Sequence, residues 1–487
     1  MTDVEQLSAA KRALLERALA RRRAAAAAAA TAIPRRTQPG PAPLSYSQQR
    51  MWFLQQWEPQ APTFNGARAF RLRGALDREA LARGLRTVIE RHESLRTVVI
   101  PGREPLQTAP EDWSFELQVV ERDGALDEQL RALSRRPFDL TADLMLRATL
   151  IELEPEEHVL LIGMHHIAAD AHSDRVLFTE LSELYGSALA GRPPQLAELP
   201  IQYADYAVWQ RQRLQGTLLE ELTTYWAAHL EGSPALLKLP TDRPRPAVQR
   251  HEGAHHRMRF ERELGEQLLA VGREAGVTFY ITMLAAFSTL LYLLSGEEDI
   301  VIGSPIASRN HTELEGLIGF FTNTLALRTR LRGNPSFREV MARARESALG
   351  AYAHQELPFE KVVEALRPKR DPSYNPLFQV NFRAQEAQRP PLVLPGLEIE
   401  PLAVDIGFSR FDFALELELR ADALAGYFEY DRDLFDAETV AGFEDDLRAL
   451  LDQIVRDPDV QVLAIQLPHG RRGRRRTTGT IGRRMAK

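Results

Sequence analysis

Cysteine is absent from all 487 residues. Disulfide staples, thiolate zinc sites, iron–sulfur clusters and a cysteine nucleophile are therefore excluded together. Also missing is any apolar run near the roughly 18–20 residues that a bilayer-spanning helix requires. Met1 to Arg23 mixes acidic and basic residues, and the alanine run behind it is too weakly apolar to make a signal peptide. These two absences give the expectation of a cytoplasmic chain with no membrane partner. No G-x-S-x-G elbow, phosphate-cradling G-x-x-x-x-G-K-[ST], dinucleotide G-x-G-x-x-G or H-E-x-x-H helix occurs. The net charge of −6 hides a basic stretch from Arg471 to Lys487, and this balance implies no general nucleic-acid affinity.

What is present is ordinary globular material, 44% hydrophobic and 26% charged. The length suits several domains or one large two-lobed unit. Residues 5–30 hold good helix formers with Leu7, Leu14, Leu15 and Leu19, and Pro34 to Pro43 breaks that pattern. Leu44 to Leu54 reads as a helix after a serine cap, Ala67 to Leu72 as an extended run and Leu76 to His92 as a helix. Strand-like segments follow at Leu95 to Ile100, Phe115 to Val120 and Leu144 to Leu153. Beyond a proline-rich stretch between Gly232 and Gly253, Thr278 to Leu294 is an apolar helix candidate and Ile300 to Ile306 a buried strand. The boundaries expected are an arm and linker over 1–42, a lobe over 43–232, a second lobe over 233–466 and a disordered basic tail over 467–487.

Chemistry concentrates at Met164-His165-His166-Ile167-Ala168-Ala169-Asp170. His158 to His166 is a strand candidate and Ser173 to Leu189 a helix, so the pair lies where strand gives way to helix. Successive strand side chains point to opposite faces, so at most one of His165 and His166 looks into a given cavity. The other needs partners within the protein for its ring nitrogens. Asp170 stands where it can cap the helix or pair with an arginine. A histidine presented here suits proton transfer near neutral pH. A metal held by His166, Asp170 and His172 is the weaker alternative, because adjacent strand histidines do not chelate together. His255 and His256 read as surface or sheet-face residues.

From about residue 43 to 465 the chain resembles the condensation domains of nonribosomal peptide synthetases, through several motifs in the family's order. Leu44 to Leu54 is similar to S-x-x-Q-x-R-x-W-F-L, Arg91 to Thr97 to R-H-E-x-L-R-T, and the histidine stretch to H-H-x-x-x-D-G. Tyr203 to Trp209, Ile318 to Thr324, His354 to Glu360 and Arg370 to Gln379 also look like family motifs. The resemblance implies an α/β fold of two chloramphenicol-acetyltransferase-like lobes in a V-shaped pseudo-dimer with a central tunnel. It implies His166 as the catalytic residue, His165 and Asp170 in support, and Arg309 paired with Asp170. Ser47, Gln48, Trp209 and Asn323 would line the substrate tunnel.

The implied function is an acyltransferase joining a carrier-bound acyl or peptidyl thioester to a carrier-bound aminoacyl acceptor through an amide bond. No cofactor or metal would be bound directly; both substrates would ride on the phosphopantetheine of carrier proteins, in company with other synthetase modules. Ester formation with a hydroxyl acceptor and a non-catalytic docking platform are the rivals. The family's glycine after the aspartate is Ala171 here. If that position needs a positive φ, alanine costs about 1 kcal/mol.

Overall fold

The computed structural model describes residues 32–38, 40–386 and 392–470. The expected arm helix over 5–30 and the basic stretch from 471 onward lie outside the described residues. In chain order the first half gives β1 (Ala42–Pro43), α1 (Tyr46–Trp57), β2 (Asn65–Arg73), α2 (Arg78–Arg91), β3 (Val98–Ile100), β4 (Leu106–Thr108), β5 (Gln118–Glu121), α3 (Leu126–Ser134), β6 (Leu146–Glu154), β7 (Glu157–His165), α4 (Ala171–Leu189), α5 (Tyr203–Arg213) and α6 (Gly216–Leu230). The second half gives β8 (Gly253–Glu261), α7 (Arg262–Glu274), α8 (Phe279–Ser295), β9 (Asp299–Ile306), α9 (Thr312–Glu315), β10 (Asn323–Arg330), α10 (Phe337–Ala353), α11 (Phe359–Leu366), β11 (Val380–Glu386), β12 (Glu398–Leu402), β13 (Phe413–Leu419), β14 (Ala423–Asp431) and α12 (Ala437–Arg456).

A five-stranded sheet runs β12-β2-β7-β6-β5. Its period of two is written into β7. Leu160, Ile162 and Met164 join the core that α2 and α4 close with Leu81, Leu85, Leu177 and Leu181. Val159 and Leu161 face the other way, onto Leu130 of α3. Helices thus cover both faces, and seven of the nine β7 residues are buried. Arg78 opens α2 behind Asp77, whose carboxylate accepts the amide of Ala80 at 2.8 Å. That cap sets the helix start two residues later than apolar spacing alone suggests.

Two strand expectations shorten. Leu95 falls in a 3-10 turn over Glu93–Arg96 before β3 begins at Val98. Phe115 and Leu117 are buried but precede β5, so apolar character there reports core packing rather than strand pairing.

A six-stranded sheet in the order β10-β9-β11-β13-β14-β8 forms the second half. Against it lies α8, buried almost all round, as a helix without a polar face must be. Thr278 caps its start through the Ile281 amide at 3.3 Å, and Gly296 ends it at φ 77°. The halves are stitched together by β12, which pairs antiparallel with β2 from Glu398↔Arg73 to Leu402↔Ala69. Arg73 adds ion pairs to Glu398 at 3.5 Å and Glu400 at 3.2 Å. Among the described residues no single helix is long and apolar enough to cross a membrane.

Candidate active site

Strand β7 ends at His165, and residues 166–168 turn before α4 begins at Ala171. Asp170 is the N-cap. Its Oδ1 accepts the Ser173 amide at 2.9 Å and the Ser173 hydroxyl at 2.8 Å, while the Asp170 amide donates to Ser173 Oγ at 3.2 Å. Ala171 is the first helical residue and does not have a positive φ. The backbone reason for a glycine there is therefore missing, and alanine carries no strain.

The two histidines are held as opposite tautomers. His166 places Nδ1 at 3.1 Å from the carbonyl oxygen of Ala169; a carbonyl only accepts, so Nδ1 carries the proton and the Nε2 lone pair is left for chemistry. In His165 the amide of Ile167 donates to Nδ1 at 3.1 Å, so the proton sits on Nε2. His165 is 1% exposed and packs edge-on against Phe64 and Phe138. Its Nε2 has no hydrogen-bond partner, so only one of the two expected ring bonds is made. Burial, with help from Arg410 and Arg147, pushes the His165 pKa down to about 3. For His166, burial first and Arg410 second hold the ring well below the usual histidine range, against the opposing hydrogen bond to Ala169. Both rings are neutral at physiological pH.

Asp170 and Arg309 make a buried node between the halves. Arg309 Nη2 donates to Asp170 Oδ1 at 3.1 Å and to Ser173 Oγ at 3.3 Å, and Nη1 donates to the carbonyls of Leu314 and, at 2.8 Å, Leu317. The guanidinium also lies 4.2 Å from the Phe321 ring centroid. Asp170 Oδ2 accepts the Phe321 amide at 3.1 Å and the Thr322 hydroxyl at 3.4 Å. One carboxylate thus joins the start of α4 to the 318–324 segment. Burial lowers the Arg309 pKa from its ordinary value, with Asp170 opposing.

A cavity of about 790 Å³ opens on His166, walled by α4 on one side and by β11, β13 and β14 on the other. Ser47 and Asn323 line both this cavity and a smaller one of about 60 Å³, and Trp209 lines the smaller alone. The Asn323 amide is committed to backbone, donating to the carbonyls of Gln355 and Leu357 at 2.9 Å each and accepting the Phe359 amide at 2.9 Å. Gln48 lines neither cavity. It is buried in a capping box with Ser45 and reaches Gln107 Oε1 at 3.3 Å and the Ile167 carbonyl at 3.4 Å, so it braces the turn behind His166. The three residues of the metal alternative have other partners: His172 Nε2 meets the Glu315 carbonyl at 3.0 Å and Asp170 is bound as above.

Sequence reasoning missed most of the far wall. His255, expected on a plain sheet face, lines the cavity and lies 3.4 Å from Asp405 and 3.5 Å from Glu429. Burial lowers its pKa, but the two carboxylates more than offset that and raise it to about 9. Arg383 pairs with Glu416, which also accepts the Tyr427 hydroxyl at 2.6 Å. Across the cavity Arg68 meets Asp174 at 2.6 Å. None of these partners is close in sequence, and no local pattern signals them.

A condensation-domain family model matches residues 38–473. The chain belongs to the condensation-domain family. It is 44% identical over 436 residues to a linear gramicidin synthase of Brevibacillus parabrevis, covering 87% of this chain and 6% of that protein. Phosphinothricin tripeptide synthetase PhsC of Streptomyces viridochromogenes is 38% identical over 479 residues, 95% of this chain and 44% of that protein. The chain therefore spans less than half the length of these synthetases. Among solved structures, the X-domain in its complex with OxyB from teicoplanin biosynthesis is 32% identical, with a TM-score of 0.82 over 90% of this chain and 98% of that one. The first condensation domain of the calcium-dependent antibiotic synthetase, 19% identical, superposes with a TM-score of 0.74 over 88% of this chain and 99% of that one. The condensation domain here thus has the family's chloramphenicol-acetyltransferase-like α/β pseudo-dimer fold.

Proposed function

We propose that this condensation domain joins a donor acyl or peptidyl thioester to an aminoacyl acceptor, both held on carrier phosphopantetheine, to form an amide in nonribosomal peptide synthesis. The observation that carries the reading is the fixed tautomer of His166, which leaves the Nε2 lone pair at the wall of a cavity of about 790 Å³. The acceptor amine attacks the thioester carbonyl, the C–N bond forms and the C–S bond breaks. His166 Nε2 takes the proton released by the amine nitrogen and returns it to the departing thiolate. Residues 43–232 and 233–466 act as two lobes of a V, with the cavity as part of a tunnel reached by the donor carrier from one side and the acceptor carrier from the other.

The test is intact mass spectrometry of a loaded donor carrier and a loaded acceptor carrier after incubation with wild type and His166→Ala. Transfer by wild type and a roughly 10²–10⁴-fold loss in the variant support the reading; full-rate transfer by the variant removes His166 from the chemistry. Pairing amine with alcohol acceptors separates amide from ester formation. A recruitment platform is the second reading, favoured by the likeness to an X-domain whose solved structure is a complex with OxyB. Carrier binding without any transfer would establish it.

A further inference from the structure

Arg410 lies in the second half, between β12 and β13, yet its guanidinium reaches the first. Nε and Nη2 donate to the Thr63 carbonyl at 3.2 and 3.0 Å, and the charge sits 5.3 Å from the Phe64 ring centroid. Phe64 is the residue whose carbonyl accepts the His166 amide at 2.8 Å. Arg410, Phe64 and His166 all line the large cavity. The backbone of Arg410 is pinned as well, its amide donating to Glu429 Oε1 at 3.3 Å and its carbonyl accepting from Asn375 at 2.6 Å.

Arg68, Arg383 and Arg309 are each paired with a carboxylate, Asp174, Glu416 and Asp170; Arg50 and Arg175 also line the cavity, Arg50 with its guanidinium 5.3 Å from the Phe359 ring centroid. No carboxylate among the described residues lies within ion-pair distance of Arg410. Glu429, the carboxylate next to its backbone, is turned to the Ser409 hydroxyl at 3.0 Å and to His255. The groups facing His166 are therefore neutral His165 at the end of β7, the compensated Arg68 of β2 with Asp174 of α4, the compensated Asp170, and Arg410. In this set Arg410 is the cation without an ion-pair partner, and of the cations it acts most strongly on His166.

We propose that Arg410 is a positioning residue for His166: it ties the 408–412 segment to the Thr63–Phe64 backbone that holds the histidine and sets a fixed positive charge beside the ring, so that His166 meets the acceptor unprotonated. The proposal rests on the reading of His166 as the proton acceptor. A nearby cation disfavours imidazolium, in the same sense as the lowering that Arg410 exerts on His166. Removing the charge raises the proton affinity of His166, and activity on the acid side is then lost at a higher pH than in wild type. Losing the tether alone would lower the rate at every pH equally.

The experiment is a titration of histidine-labelled full-length protein by ¹⁵N nuclear magnetic resonance, with the His166 signal assigned by its loss in His166→Gln, alongside pH profiles of kcat/KM. Arg410→Gln keeps a donor for Thr63 without the charge, and Arg410→Lys keeps the charge. The expected result is that His166 titrates at higher pH in Arg410→Gln, with the acid limb of the rate following it, while Arg410→Lys stays near wild type. An unmoved His166 signal in Arg410→Gln, or an equal displacement in Arg410→Lys, overturns the proposal. Because the titration needs no turnover, it decides the role of Arg410 even if His166→Gln proves fully active and the catalytic reading fails. Should Arg410→Gln not fold, Arg410→Met against Arg410→Lys gives the same contrast.

Discussion

Replacing Asp170 by alanine removes five hydrogen bonds at once, from the Ser173 amide and hydroxyl, Arg309, the Phe321 amide and the Thr322 hydroxyl. Loss of the helix cap costs about 1 kcal/mol. Leaving a buried guanidinium without its carboxylate costs about 3–5 kcal/mol, toward the lower end here because Arg309 keeps the carbonyls of Leu314 and Leu317. The sum, about 4–5 kcal/mol, is a large part of the roughly 5–15 kcal/mol that holds a typical domain folded. At about 2–4 °C per kcal/mol for domains of 150–250 residues, Tm falls by on the order of 10 °C. Asp170→Asn keeps an oxygen for the cap and loses the charge, so it falls in between. Scanning calorimetry on wild type, Asp170→Ala, Arg309→Met and the double variant measures the effect. The double variant should lose about 2 kcal/mol less than the two singles added together. A Tm within a degree or two of wild type for Asp170→Ala, or strict additivity with Arg309→Met, would refute the node.

His165→Ala leaves a void against Phe64 and Phe138 and is expected to cost about 2–4 kcal/mol in chemical denaturation, whereas His166→Ala should unfold near the wild-type midpoint. His255→Gln tests the raised histidine. A folded pKa of about 9 against 6.5 means that the stabilisation is complete below pH 6.5 and disappears as pH rises through 9. The variant should therefore be weaker than wild type by roughly 1–2 kcal/mol at pH 6, allowing for the part-exposed Asp405, and nearly equal to it at pH 10. Ala171→Gly should change condensation less than about twofold and Tm by no more than a few degrees, since that position is helical with negative φ; a large gain in rate would show that the alanine methyl obstructs the site.

Local patterns revealed much of this site. The apolar run into the histidines, the start of α4 with Ser173 and the carboxylate between them are neighbours in sequence, and hydrophobic period and capping chemistry act over such distances. The alternation argument assumed a strand running through both histidines. The strand stops at His165, and the split in roles comes instead from the turn, where the carbonyl of Ala169 and the amide of Ile167 select opposite tautomers. The family resemblance places Gln48 in the tunnel, whereas its buried side-chain amide donates to Gln107 and to the Ile167 carbonyl behind the histidine. Arg410, His255 and Arg383 were illegible for a plain reason: their partners at Thr63, Asp405 and Glu416 lie far away in sequence, on other loops and strands, and long-range pairing leaves no local period to read.

The short strand β12 bears on recombination between synthetases. Five residues from the second half complete the edge of the first-half sheet, in a register that sets Arg73 beside Glu398 and Glu400. A chimera cut near residue 232 would give β2 of one parent the β12 of another. Charge reversal at Arg71 or Arg73 relative to Glu398 or Glu400 would then oppose like charges across the ladder. Transplanting residues 392–402 together with the first half would keep that seam native, so the sound unit of exchange is discontinuous in sequence.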